Sequence, residues 1–129
     1  MAELPALPFA QLAGVEVTSA SPEEVRGRME WREDRCTTGG ILHGGALMTL
    51  ADTVGAVCAF LNLPAGALTA TIESKTNFLR AVRSGHAEAV ATPVHVGRTM
   101  IVVQTDIRDD QGKRVALVTQ TQAVLLSGR

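Results

Sequence analysis

Tyrosine is absent from this sequence of 129 residues, and three Phe and one Trp supply all of its aromatic content. Few flat rings are available for stacking bases or sugars, which argues against a nucleic-acid or sugar platform. Neither sign of charge dominates: 12 Lys and Arg stand against 13 Asp and Glu, for a formal net charge of −1. Nucleic-acid and membrane-surface partners call for a basic excess, so neither is expected. Cysteine is scarce too. Cys36 and Cys58 are too few for a disulfide framework, and their spacing is not that of a metal knuckle. Both read as reduced thiols, Cys58 buried, in a cytoplasmic protein. The opening MAELPALPFAQLAG has an early glutamate and no basic region before an apolar run, so no signal peptide is expected.

What remains is an ordinary globular composition, 46% hydrophobic and 19% charged. One domain spanning residues 1–129 is expected, with a core that needs neither metal nor disulfide. No repeat, linker or low-complexity tract interrupts it, and no cofactor is expected. The longest nearly uncharged stretch, Ile41 to Leu63, has the length of a membrane span. It carries His43 and Asp52, and several Gly or Pro residues lie in or near it, so a buried core helix is the expected state.

Phe9 to Ala13 fits a short helix. Val15 to Ser19 and Glu24 to Trp31 fit two strands joined by the turn Ser21-Pro22-Glu23. In the second strand Val25, Gly27, Met29 and Trp31 fall on one face, and Glu24, Arg26, Arg28 and Glu30 on the other. Arg32 to Gly40 is polar and reads as a loop. Ala46 to Leu61 is the one long helical segment, apolar nearly all round and so expected to be buried on most sides. Asn62 to Gly66, with Pro64, ends it. Four strands follow: Leu68 to Leu79, Gly85 to Val96, Thr99 to Asp109 and Lys113 to Leu126, the last two joined by the turn Asp109-Asp110-Gln111-Gly112. Two strands, one helix, then four strands predict an α+β domain, an antiparallel sheet wrapped on a central helix. A helix apolar on every face needs more cover than one such sheet gives, which points to a dimer.

Two features carry chemistry. Gly39-Gly40-Ile41-Leu42-His43-Gly44-Gly45 runs into the helix. Glycines allow close backbone approach, and a helix N-terminus offers unpaired N–H groups and partial positive charge. Together they suit a carbonyl oxygen that gains negative charge. A plain Gly-rich loop with a structural His43 is the competing reading, and the pattern alone leaves both open. Asp52 lies among apolar and small residues. A carboxylate buried there costs stability unless it is paired or protonated, which makes it a functional candidate. Its competing reading is an N-cap that starts a second helical segment at Asp52-Thr53. From His43 to Asp52 are nine residues, roughly 13 Å of rise and about 900° of rotation, which places the two on opposite faces. They cannot share a site within one helix. Two helices packed antiparallel across a two-fold axis would bring Asp52 of one chain to Gly44 of the other.

The run from Gly40 to Ala56, GILHGGALMTLADTVGA, resembles the hotdog-fold acyl-CoA thioesterases of the phenylacetate-degradation (PaaI-like) type. It is also similar to their relatives acting on 4-hydroxybenzoyl-CoA and 1,4-dihydroxy-2-naphthoyl-CoA. The likeness extends from about Arg32 to Leu126 and takes in Thr76-Asn77-Phe78-Leu79-Arg80, Ser84-Gly85, His95-Val96-Gly97-Arg98 and Asp109 to Gly112. It implies a hotdog fold with a sheet of about five to six strands, an acyl-CoA substrate, and homodimers assembled further as a dimer of dimers. By the same resemblance, the Gly44 N–H polarises the thioester carbonyl, and Asp52 is the nucleophile or the base that aims a water. His43 hydrogen-bonds near the thioester or holds the loop, with Gly45 beside it. Thr71 matches a hydroxyl that positions water in some relatives. Arg80, Arg83, Gly97 and Arg98 are candidates for the CoA phosphates, although the arginines also read as plain solvated surface. Thr37 stands where relatives often place Gln or Asn, and Ala56 where some carry Ser or Thr. Both departures bear on acyl preference more than on reaction class.

Two other functions fit the same residues. One is an acyl-CoA-binding module without turnover. The other is a hydratase or dehydratase that uses His43 and Asp52 across the interface. A metal site from His43, His86, His95 and Asp52 lacks any recognised spacing, and alternation predicts opposite faces for His86 and His95.

Overall fold

A computed structural model describes residues 4–126. Helix α1 (Pro8–Ala13) leads into β1 (Val15–Ala20) and β2 (Val25–Glu30). The segment expected as a loop, Arg32 to Gly40, holds a single helical turn, Glu33–Arg35, and strand β3 (Cys36–Thr37), which forms a short hairpin with β4 (Ile41–Leu42) just beyond it. Strands that short carry no alternation to read. The long helix α2 (Gly44–Leu61) follows, then β5 (Leu68–Phe78), β6 (His86–Val96), β7 (Met100–Asp109) and β8 (Arg114–Leu125). One antiparallel sheet runs β1-β2-β6-β7-β8-β5, so β1 and β5 are its edges.

The helix lies across the sheet and seals the core. Leu50, Ala51, Val54 and Cys58 of α2 are fully covered, as are Val25, Met29, Ala87, Ala89, Ile101, Val103 and Val118 beneath them. Small residues set the spacing: a Cβ on Gly27 would come within 2.6 Å of the Val54 side chain. Burial pushes the Cys58 thiol up to about 11. The helix is continuous through Asp52, so this residue starts no second segment.

Burial on most sides of α2 is not met within one chain, where eight of its 18 residues are buried. Met48, Asp52 and Phe60 are exposed, with half-buried Ala56 between them, a stripe at four-residue spacing. Edge strand β5 is open as well, with Ile72 63% and Phe78 52% exposed.

Of the sheet's four register shifts, two bear on the candidate residues by changing which of them share a face. In β5, Thr71 pairs with Gln122 and Phe78 with Ala116, seven steps on one strand against six on the other. The extra residue, Ile72, brings Thr71 and Phe78 to the same helix-facing side. A second bulge, at Val94, corrects the expected alternation of β6. It puts His86 and His95 on one face, but with nine residues, roughly 30 Å of strand, between them. Among the described residues no cluster of three or more His, Cys, Asp or Glu could hold a metal.

Candidate active site

The hairpin β3–β4 delivers the chain to the helix start. The Trp31 indole N–H donates to the Gly40 carbonyl at 2.9 Å, the Leu42 N–H to Val82 at 2.9 Å, and the His43 N–H to Arg35 at 2.9 Å. His43 itself is the N-cap, extended at φ −61° and ψ 138°. Its Nδ1 accepts the Gly45 N–H at 2.7 Å, which leaves the ring proton on Nε2, and its carbonyl accepts the N–H groups of Ala46 and Leu47. The first four helical donors are thereby sorted. Three have acceptors, and the Gly44 N–H has none among the described residues. Gly44 abuts a ring: a Cβ there would lie 3.2 Å from Cζ of Phe78.

Because His43 lies outside the helix, the rotation argument from His43 falls away. Counted from Gly44, Asp52 is eight residues on, roughly 12 Å along the axis and about 80° around it. The axial separation alone keeps them from one thioester within one chain.

Asp52 is exposed in the single chain, contrary to the burial expected of it. Its Oδ1 accepts from Thr71 Oγ1 at 3.3 Å and from Gln120 Nε2 at 3.4 Å. Thr71 in turn accepts from Gln122 Nε2 at 2.8 Å. Thr71 was anticipated; the two glutamines were not, although a polar residue at an inward strand position is the signal that marks them. Asp52 also lines a groove of about 610 Å³ with Met48, Ala56, Phe60, Thr69 and the segment Leu4–Ala10.

The remaining candidates divide between the two ends of the sheet. Arg80 and Arg83 line a recess of about 470 Å³ with Ser84, Asp109, Asp110 and Lys113. Gly97 and Arg98 sit in the β6–β7 turn, where the Gly97 N–H bonds to Met100 at 2.9 Å. The 11 residues of β6, about 33 Å end to end, separate the two groups. One chain therefore does not bring Arg80 and Arg83 together with Gly97 and Arg98. Instead Arg80 and Arg83 share an end with Gly44, and Gly97 and Arg98 share one with Asp52. Thr37, exposed on β3, pairs with Ile41.

A six-stranded antiparallel sheet wrapped on one long helix, with a glycine-rich entry to that helix, defines a hotdog-fold enzyme of the thioester hydrolase class. The chain belongs to the Thioesterase superfamily, whose profile matches residues 39–116. It is 33% identical over 86 residues to a 1,4-dihydroxy-2-naphthoyl-CoA hydrolase of Escherichia coli, and 34% identical over 86 residues to a proofreading thioesterase of Cronobacter sakazakii. Each match covers 67% of this chain and 63% of the relative's length. The crystal structure of a thioesterase from Haemophilus influenzae superposes with a TM-score of 0.88 at 30% identity, covering 92% of this chain and 82% of that one.

Proposed function

We propose that the chain is an acyl-CoA thioesterase of the PaaI-like type. It hydrolyses an aryl-, arylacetyl- or medium-chain acyl-CoA at sites shared between two copies in the cytoplasm. The observation that carries this reading is the split of the chemistry along α2: a free N–H at Gly44 and a hydrogen-bonded carboxylate at Asp52, roughly 12 Å apart. Antiparallel self-pairing of the open β5 edge reverses one copy against the other. The Gly44–Phe78 end of one chain then meets the Asp52–Thr71 end of its partner. Each shared site gains Arg80 and Arg83 from one chain and Gly97 and Arg98 from the other, to hold the CoA phosphates. The exposed Met48–Phe60 stripe is covered in the same step, and two such dimers form the tetramer.

In such a site the Gly44 N–H stabilises the oxyanion formed at the thioester carbonyl. Asp52 takes a proton from water as the water oxygen adds to the carbonyl carbon. The C–S bond then breaks, sulfur keeps the electron pair, and the proton passes to it. Alternatively the carboxylate adds directly and expels the CoA thiolate as the C–S bond breaks, and water cleaves the resulting anhydride and supplies the proton that the thiolate takes up. Either way the products are the free acid and CoA. The His43 Nε2–H supplies a further donor beside the thioester.

Thiol release measured across phenylacetyl-, benzoyl-, hydroxybenzoyl- and hexanoyl-CoA tests the reading and ranks the acyl groups. Asp52→Asn is expected to lower kcat by orders of magnitude while leaving the assembly folded. Near-normal turnover in that variant would sink the mechanism. Tight binding of all four thioesters without thiol release would favour a binding module instead.

A further inference from the structure

We propose that Gln120 and Gln122 are positioning residues that decide which oxygen of Asp52 reacts. The inference rests on the reading of Asp52 as the acid of thioester hydrolysis. Both glutamines are fully buried on β8, beneath α2. Burying a primary amide is costly unless its groups are paired, so two of them among valines and alanines call for an explanation.

Gln122 is paired at both ends. Its Oε1 accepts from Thr69 Oγ1 at 3.0 Å, and its Nε2 donates to Thr71 Oγ1 at 2.8 Å. By occupying a lone pair of Thr71, that bond directs the hydroxyl proton to Asp52 Oδ1 at 3.3 Å. The chain Thr69, Gln122, Thr71, Asp52 thus donates in one direction throughout, an arrangement in which each bond polarises the next. Gln120 Nε2 reaches the same Oδ1 at 3.4 Å. Both contacts to the carboxylate are long, as catalytic hydrogen bonds often are before substrate arrives. Both fall on one oxygen. Oδ2 receives no hydrogen bond among the described residues, so its lone pairs stay available to a water or a carbonyl carbon.

A second observation sets Gln120 apart from plain packing. Its Oε1 is buried without a hydrogen-bond donor, and the amide sits against Gly55, where any Cβ would overlap Oε1. Glycine in a helix interior is unfavourable, and here it clears the space the amide needs to reach Asp52. A leucine at 120 would pack better and hold nothing in place.

The experiment compares D52N, Q120L, Q122L, G55A and the pair G55A/Q120L for kcat, KM and melting temperature on the best acyl-CoA of the panel. D52N tests the underlying reading by itself. With that reading upheld, Q120L and Q122L are expected to lose about 10- to 100-fold in kcat with little change in KM. Q120L should melt at or above the wild-type temperature. G55A should lower kcat in the wild-type background and have no further effect once Gln120 is gone. An inactive D52N beside Q120L and Q122L of near-normal kcat overturns the positioning role alone. An active D52N overturns both. If Q122L melts below the assay temperature, Q120L and the Gly55 pair decide the matter.

Discussion

The ring of Phe78 lies against Gly44, so that a methyl group at position 44 would come within 3.2 Å of its Cζ. The same contact ties the free helix N–H to the exposed end of β5. G44A keeps that N–H but forces ring and helix entry apart by a few tenths of an ångström. The variant is expected to fold with little change in melting temperature and to lose about tenfold in kcat/KM, the scale of a small misplacement at a reacting centre. Adding F78A should return part of the loss by removing the obstacle. Steady-state kinetics of the single and double variants check it.

Sharing of the site between copies predicts complementation. D52N and a bulkier substitution, Gly44→Val, should each be inactive alone. Mixed as subunits and allowed to exchange, half of the dimers carry one intact site. About a quarter of wild-type activity is then expected. An exchanged mixture as inactive as its parents would place both groups in one chain's site and refute the shared arrangement.

Arg80 and Arg83 belong to the recess at the Gly44 end, beside Lys113. If they hold phosphate, replacing both with Ala should raise KM for acyl-CoA several-fold with kcat nearly unchanged. The effect should shrink in high salt, which screens exposed charges. It should vanish for an acyl-pantetheine thioester that lacks the nucleotide. Equal loss on both substrates would return the two arginines to ordinary surface.

On the opposite face of the sheet, Asp106 lies between Arg114 at 2.9 Å and Arg108 at 2.8 Å. Partial burial acts to raise its pKa, but the hydrogen bonds from the two guanidiniums outweigh it and hold the carboxyl below its ordinary value. A depressed folded-state pKa means stability that is present above the unfolded value, near ~3.9, and lost as pH falls through the folded one. D106N should therefore melt lower than wild type at pH 7, and the gap should close under acid. Thermal melts at pH 7, 5 and 3 read this directly. All three side chains are partly exposed, so the difference should also narrow in salt.

Periodicity made most of the fold legible. Ile101, Val103, Thr105 and Ile107 alternate in the sequence and lie buried in β7. The end of α2 follows from Asn62 to Gly66, but its start lies at Gly44 rather than the expected Ala46, because the His43 cap draws Gly44 and Gly45 into the first turn. Where alternation fails, so did the expectation. Neither Ile72 nor Val94 looks different from its neighbours, yet each is an extra residue that reverses the faces beyond it. The site was legible in part for a related reason. Gly44, Asp52 and Thr71 stand out by residue type and resemblance. Gln120 and Gln122 are ordinary residues made unusual only by the direction in which β8 points them. Asp52 is exposed rather than buried because the face it shares with Met48, Ala56 and Phe60, although apolar, is left uncovered by the sheet of its own chain.

The bulge at Ile72 imposes a constraint of length rather than of identity. Its side chain is exposed and free to vary, whereas its presence sets the phase of everything beyond it on the edge strand. Deleting this one residue would turn Thr71 and Phe78 to opposite sides, and no substitution elsewhere in β5 could restore both at once. Insertions and deletions, more than point changes, are then what this strand cannot absorb.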